Sequence, residues 1–481
     1  MSGRVGTLDA GDLPELDDVL AQIGLRTQVY GEIAIHGDDP VIRSPHRLGT
    51  ASATALLLGG AAAAAIWRHR TGRETGISID IVDALHHLHP THFVAQMGHR
   101  IDVGAEHVAT NGIFATRDGH HVMIEAGPPY PKLRDGYLSF FGCANTRSAL
   151  AQSISSWDAE SLESALSAAG LPACRAFTRE QWLDHPQGRV LAATPVIEIR
   201  KLTEGAPVPF GEQAASPLDG VRVVDFTHVL AGPHSTQTLA EFGADVLHIS
   251  SANHPDTLAQ HLCVDHGKRC AYLELTRPDG MERMNRLLAE ADVFATSYRP
   301  GVNERFGLTP SEIAGRSRRG IVCLSVNAYG FDGPWRNRPG FDQNAQVATG
   351  FAAREGVVTG VPRFSPVFYL ADLLTGHLAA AGVMAALCRR AAEGGSYHVR
   401  VSLARSAMWV QEFGLIDPAA IADAPAADSY EAQIEDLHTS FGRVSGLCLP
   451  LRFSNLAYSP VDRLVPYGAD EPDWSEPNAI R

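Results

Sequence analysis

Among the residues able to do chemistry, Asp372 has the most suggestive setting. It lies at the start of the run Leu370 to Ser406, LADLLTGHLAAAGVMAALCRRAAEGGSYHVRVSLARS. Gly376 follows, then a stretch of small apolar residues, the pair Arg389 and Arg390, and a Gly394-Gly395 stop. Beyond the glycines the pattern changes to alternation, with Val399, Val401 and Leu403 on one face. This spells a helix with an acid at its N-terminus and bases at its C-terminus, followed by a strand. A carboxylate so placed ordinarily caps the helix or meets its dipole. It becomes a nucleophile only where it is held in position and partly desolvated.

Other candidates are weaker. His86, His87, His89 and His92 crowd into HHLHPTH, but Pro90 breaks the helix that could align them, and no Cys or acid stands within the cluster. A polar turn is expected, and no metal. The seven cysteines (143, 174, 263, 270, 323, 388 and 448) include no CxxC pair and are odd in number, as expected of reduced thiols in a cytoplasmic protein. Neither GxGxxG nor a P-loop pattern occurs, so dinucleotide or nucleoside-triphosphate phosphate binding has no motif behind it.

Composition narrows the classes further. A net charge of −14 without a long basic cluster argues against nucleic acid or an anionic membrane as partner. Residues 1–20 are polar and acidic, so no secretory signal is expected. The most apolar run, Ala51 to Trp67, is Ala/Gly-rich and interrupted by Ser52 and Thr54, which suits a buried helix better than a membrane span. At 481 residues the chain has room for roughly two to four domains.

Around Asp372 the elements form a pattern that occurs twice. Thr50 to Ala84 aligns without gaps beneath the Asp372 stretch at an offset of 322 positions. Leu56 falls on Leu378, Gly60 on Gly382, Arg68 on Arg390 and Gly72 on Gly394, and Ile77, Ile79 and Ile81 fall on Val399, Val401 and Leu403. The shared switch from helical to strand period marks an internal repeat. Thr50 occupies the Asp372 position, so the first copy is expected to be silent there. Residues 106–200 read as a small α/β region, with a hairpin turning at Arg117-Asp118-Gly119. The Pro/Gly-rich stretch 201–216 reads as a connector. Val221 to Phe226 then reads as a buried parallel strand, with a helix near Ser235 and a second strand at Ala244 to Ile249, a βαβ unit.

These segments carry a resemblance. PLDGVRVVDFTHVLAGP with GADV, HGKRC (266–270), LTRPDG (275–280), ADVFATSYRPGVNERFGL (291–308), VNAYGFDGPWRNRPGFDQNAQ (326–346) and LADLLTG follow in the order seen in class III CoA-transferases, the carnitine-dehydratase and bile-acid-inducible type. Ala115, Thr116, Asp118 and Gly119, then Ala169 to Pro172, then Asp184, Pro186 and Gln187, are similar to that family's small domain. The parts stand in a rearranged, partly duplicated order. The resemblance implies an α/β fold: a Rossmann-like large domain with a parallel sheet plus a smaller α/β domain, in an interlocked homodimer. The expected division is 1–90 a partial repeat, 91–205 the small domain, 206–216 a linker, 217–415 the catalytic domain and 416–481 a segment returning to the large domain.

What the family implies chemically is transfer of CoA from an acyl-CoA to a carboxylic acid, with no resident cofactor. Asp372 would be the nucleophile, forming an acyl anhydride and then an aspartyl-CoA thioester. CoA would be bound by Val229 and Leu230 through their backbone, by Lys268, Arg269 and Arg305 at its phosphates, and by Tyr329 beside pantetheine or adenine. Three departures stand out: Ser250-Ser251 replaces an acid followed by a basic residue or proline, Asn327 occupies a position that varies in the family, and no glycine-rich lid exists. Two alternatives remain. One is a non-catalytic acyl-CoA-binding relative. The other is a 2-methylacyl-CoA racemase, disfavoured because Gly340-Phe341-Asp342 puts Phe where racemases need a proton-carrying His, while His377 reads as structural.

Overall fold

The computed structural model describes residues 7–9, 13–25, 31–101, 109–127, 130–212, 214–425, 431–456 and 463–474. Its largest sheet has seven strands in the spatial order Arg269–Tyr272, Asp245–Ser250, Arg222–Phe226, Val293–Thr296, Val322–Asn327, Ser396–Ser402 and Glu198–Thr203. The first six run parallel and the last antiparallel. Apolar runs such as Val322 to Val326 suit strands covered on both faces. From the Arg222–Phe226 strand the chain moves outward in one direction, then returns to Val293–Thr296 on the other side. The crevice at the carboxyl ends of these two strands is the topological switch point, where open α/β sheets hold ligands.

The boundary expected at residue 205 falls just after a strand of this sheet. Glu198–Thr203, placed by sequence in the small domain, is its seventh strand and covers the Ser396–Ser402 edge. The remaining small domain is a three-stranded antiparallel sheet, Asn111–Ala115, His121–Glu125 and Ala173–Arg175, with helices packed on it.

The repeat is visible in the elements. Leu48–Thr71 and Leu370–Glu393 are both 24-residue helices that begin and end 322 positions apart. Each is followed by a strand and a further helix, Ile77–Asp80 with Ile81–His86 and Ser396–Ser402 with Leu403–Glu412. The two long helices pack against each other in the largest core cluster. Both are long and apolar enough to cross a membrane, but 94% and 100% of their most apolar windows are buried in the protein. The C-terminal segment divides. Arg452–Phe453 pairs with Ile77–Ser78, in the sheet of the first copy, while Asp470 and Asp473 dock on the Arg269–Tyr272 edge of the large sheet. Residues 426–430, 457–462 and 475–481 of this segment lie outside the described residues.

Candidate active site

Asp372 is the third residue of its helix, in the first turn, and 6% exposed. No side chain of the capping residue Tyr369 serves this helix end. The cap comes from elsewhere: Asp342 Oδ2 accepts the Asp372 N–H at 2.7 Å and the carboxylate also takes the Ala371 N–H. Asp342 thus satisfies two of the orphan donors of the helix N-terminus. The first copy repeats the device. Asp39 accepts the Gly49 and Thr50 N–H groups at 3.3 and 2.9 Å, and the Thr50 hydroxyl at 2.8 Å. In one copy a carboxylate holds a second carboxylate's residue, and in the other it holds a threonine.

Gly376 explains how Asp372 comes so close to the large sheet. A Cβ there would lie 2.7 Å from His234 Cδ2 and 3.1 Å from Ala231 O. Only glycine lets the Asp372 helix cross so tightly over the start of the Ala231–Glu241 helix, which leaves the switch point. At that point Val229 has φ of 70° and its N–H donates to Asp256 at 2.8 Å. The His228 N–H donates to Ser297 Oγ at 2.9 Å, and the His228 ring stacks on Tyr298 at 4.4 Å. Tyr130 of the small domain closes the arrangement, with its hydroxyl 2.8 Å from His228 Nδ1 and its ring stacked on Phe341, next to Asp342.

The electrostatics are strongly acidic. Burial, then the neighbouring Asp342 charge, holds Asp372 well above the usual carboxylate range. Asp342 is pushed up by burial to about 7. Glu125, last residue of its small-domain strand, is raised well above the usual range by burial, then by Asp342 and Asp372. Tyr369 is raised by burial and then by Asp372. These four groups form one cluster at a domain junction. On the switch-point side, burial brings His228 down to about 4 and Asp256 up to about 6.

The expected CoA residues part company here. Val229 and Leu230 do stand at the switch point, and Arg305 is exposed at the end of the Pro300–Arg305 helix beside it, over the Phe306 ring. Arg299, not singled out by sequence, is also exposed there and bears on His228. Lys268 is a correction. It is fully buried, and its Nζ donates to Asp225 at 3.0 Å, Asp265 at 2.8 Å and the Pro233 carbonyl at 2.7 Å. All three of its donors are occupied, so it has none for a phosphate. Arg269 is likewise engaged, bidentate on Asp245 and donating to the Asp473 carbonyl. Tyr329 is 1% exposed with its ring edge-on to Trp335, inside the core rather than beside a nucleotide. Asn327 braces its own turn through Gly330.

Among the described residues, the one convergent set of metal-type ligands is Asp225, His248 and Asp265. The Lys268 ammonium already lies between the two carboxylates of that set. HHLHPTH turns after His86, as expected, but two of its rings are buried, His86 and His89 being 1% and 5% exposed. His86 ends the first-copy helix Ile81–His86, and His89 follows it into the core. His377 faces His234, Nε2 to Nε2 at 3.2 Å, on the wall of a separate cavity that His87, Glu241 and Cys263 also line.

Residues 218–440 match the model of CoA-transferase family III. The acetyl-coenzyme A transferase nodX of Hypoxylon pulicicidum is 36% identical over 206 residues, 42% of this chain and 35% of that protein. A probable fatty acyl-CoA transferase of Mycobacterium tuberculosis, Rv3272, is 32% identical over 41% of this chain and 53% of its own length. The chain therefore spans about half, or less, of the length of these two relatives. The formyl-CoA:oxalate CoA-transferase of Streptomyces avermitilis is 28% identical over 54% of this chain and 70% of its own. A crystal structure of the mycobacterial protein aligns at 32% identity and a TM-score of 0.38, over 41% of this chain and 56% of that one. The resemblance to class III CoA-transferases expected from the sequence is thus met by a family match over residues 218–440.

Proposed function

We propose that this chain moves CoA from an acyl-CoA to a carboxylic acid, with Asp372 as nucleophile. The observation that carries the reading is the setting of Asp372: a buried carboxylate at a helix start, its N–H fixed by Asp342, beside the switch-point crevice of a parallel sheet. Carboxylates are weak nucleophiles in water, and burial removes the hydration that makes them so. One Asp372 oxygen attacks the thioester carbonyl, the C–S bond breaks, and CoA leaves as thiolate. The thiolate attacks the aspartyl carbonyl of the anhydride and releases the donor acid. The acceptor carboxylate then displaces CoA from the aspartyl thioester, and the thiolate takes the new acyl group, freeing Asp372. Charge and protons balance through all four steps, so no resident cofactor is needed. Arg299 and Arg305, both exposed just beyond the Val293–Thr296 strand, would meet the CoA phosphates on this reading.

The test is intact mass after incubation with acetyl-, formyl- and succinyl-CoA, followed by hydroxylamine trapping. A label on Asp372 in the wild type, absent in Asp372→Asn, is the expected result. CoA binding without any adduct across the panel would transfer the protein to the class of acyl-CoA-binding relatives.

A further inference from the structure

We propose that Glu125 is the hydrogen-bond donor that polarises the thioester carbonyl attacked by Asp372, an assignment that rests on the CoA-transfer reading above. Its position is set from two sides. The Tyr137 hydroxyl lies 3.2 Å from the Glu125 N–H it accepts, and Tyr137 in turn donates to the Pro172 carbonyl, locking the end of the His121–Glu125 strand. From the large domain, the Asn344 N–H donates to the Glu125 carboxyl group. Asn344 is two residues beyond Asp342, in the short helix Asp342–Ala348. One element therefore fixes both Asp372, through Asp342, and Glu125, through Asn344. The two acids come from different domains but share one frame.

One carboxyl oxygen of Glu125, Oε2, is the unexplained group. Glu125 is 6% exposed, and its Oε2 is buried with no partner. An orphaned buried polar atom of this kind is uncommon in folded proteins. The groups that bear on Glu125 or feel its charge are all acids: Asp342, Asp372, Tyr137, Tyr329, Tyr369 and Cys174. Carboxyl groups this close do not all ionise, and one that keeps its proton becomes an O–H donor. Burial and the two aspartates hold Glu125 in that neutral form. A substrate carbonyl seated between Asp372 and Glu125 supplies the acceptor that Oε2 lacks.

The step balances without proton transfer. A bond forms between an Asp372 oxygen and the carbonyl carbon, and negative charge gathers on the carbonyl oxygen. The C–S bond then breaks, with its electron pair departing on sulfur. Glu125 keeps its proton throughout and donates a hydrogen bond that strengthens as the oxygen becomes anionic. Donors aimed at developing charge in a water-poor site accelerate acyl transfer by about 100- to 1000-fold.

The experiment measures the rate of adduct formation on Asp372 by rapid quench and mass spectrometry, in wild type, Glu125→Gln and Glu125→Leu. The amide of Glu125→Gln still donates, so its rate should stay within about tenfold of wild type, whereas Glu125→Leu should lose about 100-fold or more. The wild-type rate should fall at alkaline pH as Glu125 ionises, and Glu125→Gln should lack that limb. A second readout is the carbonyl stretch of carbon-13-labelled acetyl-CoA bound to Asp372→Asn. It should lie at lower frequency than in the Asp372→Asn/Glu125→Leu double variant. Equal rates in wild type and Glu125→Leu, or equal losses in both variants with the alkaline limb intact, would overturn the assignment. An unchanged carbonyl frequency in the double variant would overturn it too. No adduct in the wild type itself would instead sink the CoA-transfer reading, and the assignment with it.

Discussion

At the scale of single residues, the site sets a conflict between holding Asp372 and ionising it. Asp342 organises the helix start by accepting the Asp372 N–H, yet its own charge stands among the causes that keep Asp372 protonated. Asp342→Asn separates the two effects, because an amide oxygen can still accept the N–H but carries no charge. Asp372 should then ionise more readily, and the acid limb of adduct formation should move to lower pH. The sign follows from the like charge: removing it lowers a carboxyl pKa that it had raised. Quench-flow adduct rates between pH 5 and 8 check this, and an acid limb that stays in place or moves toward alkali would show that Asp342 acts only as a cap.

At the scale of elements, the buried network around Lys268 joins the Arg222–Phe226 strand, the start of the Ala231–Glu241 helix and the loop after Leu258–Val264. Burial alone would lower Lys268 and raise both aspartates, but the mutual attraction wins. Lys268 is raised, Asp225 drops to about 2 and Asp265 falls well below the usual range. Lys268→Met removes the ammonium shared by two buried carboxylates, leaving Asp225 with His248 and Asp265 with His261, and should cost about 3–5 kcal/mol in urea denaturation. Because Asp225 is depressed, its contribution is present above the ordinary carboxylate pKa and is lost as pH falls toward 2. The destabilisation should therefore be full at pH 7 and shrink in acid. A loss of CoA affinity with stability unchanged would restore the phosphate-binding role expected from HGKRC. That motif shows where sequence stops being legible. The periodic helix–strand units and the parallel strands could be read because their signals are local, whereas Asp372 stood out only through the family resemblance. Whether a lysine faces a phosphate or two aspartates 43 and 3 residues away depends on how the strands stack, and no local pattern records it. Glu125 was missed for the same reason. In the sequence it is one acid before Ala126-Gly127, and only the docking of the small domain on the Asp342–Ala348 helix gives it neighbours.

At the scale of the whole molecule, two copies of one helix–strand unit pack back to back, and each has its helix start held by an aspartate from another segment. The copies differ at the chemical position. Thr50 supplies a hydroxyl to Asp39, and that bond, with the backbone donors, partly offsets the burial that raises Asp39. On the proposed reading, the duplication supports the fold twice and the chemistry once. Saturating the wild type with acyl-CoA and trapping should give one acyl or CoA equivalent per chain, on Asp372. Thr50→Asp should not add a second, because the strand that follows the first-copy helix, Ile77–Asp80, belongs to the four-stranded sheet and not to the sheet with the switch-point crevice. It should instead lower stability by roughly 1–3 kcal/mol, since a donor to Asp39 is replaced by a like charge in a buried place. The penalty should be larger at pH 8 than at pH 5, where carboxyls raised by burial regain their protons. Mass spectrometry of the trapped protein, with thermal melts of both forms at the two pH values, decides the matter. Two equivalents on the wild type, or a second adduct at position 50 in Thr50→Asp, would mean that the first copy keeps a working site.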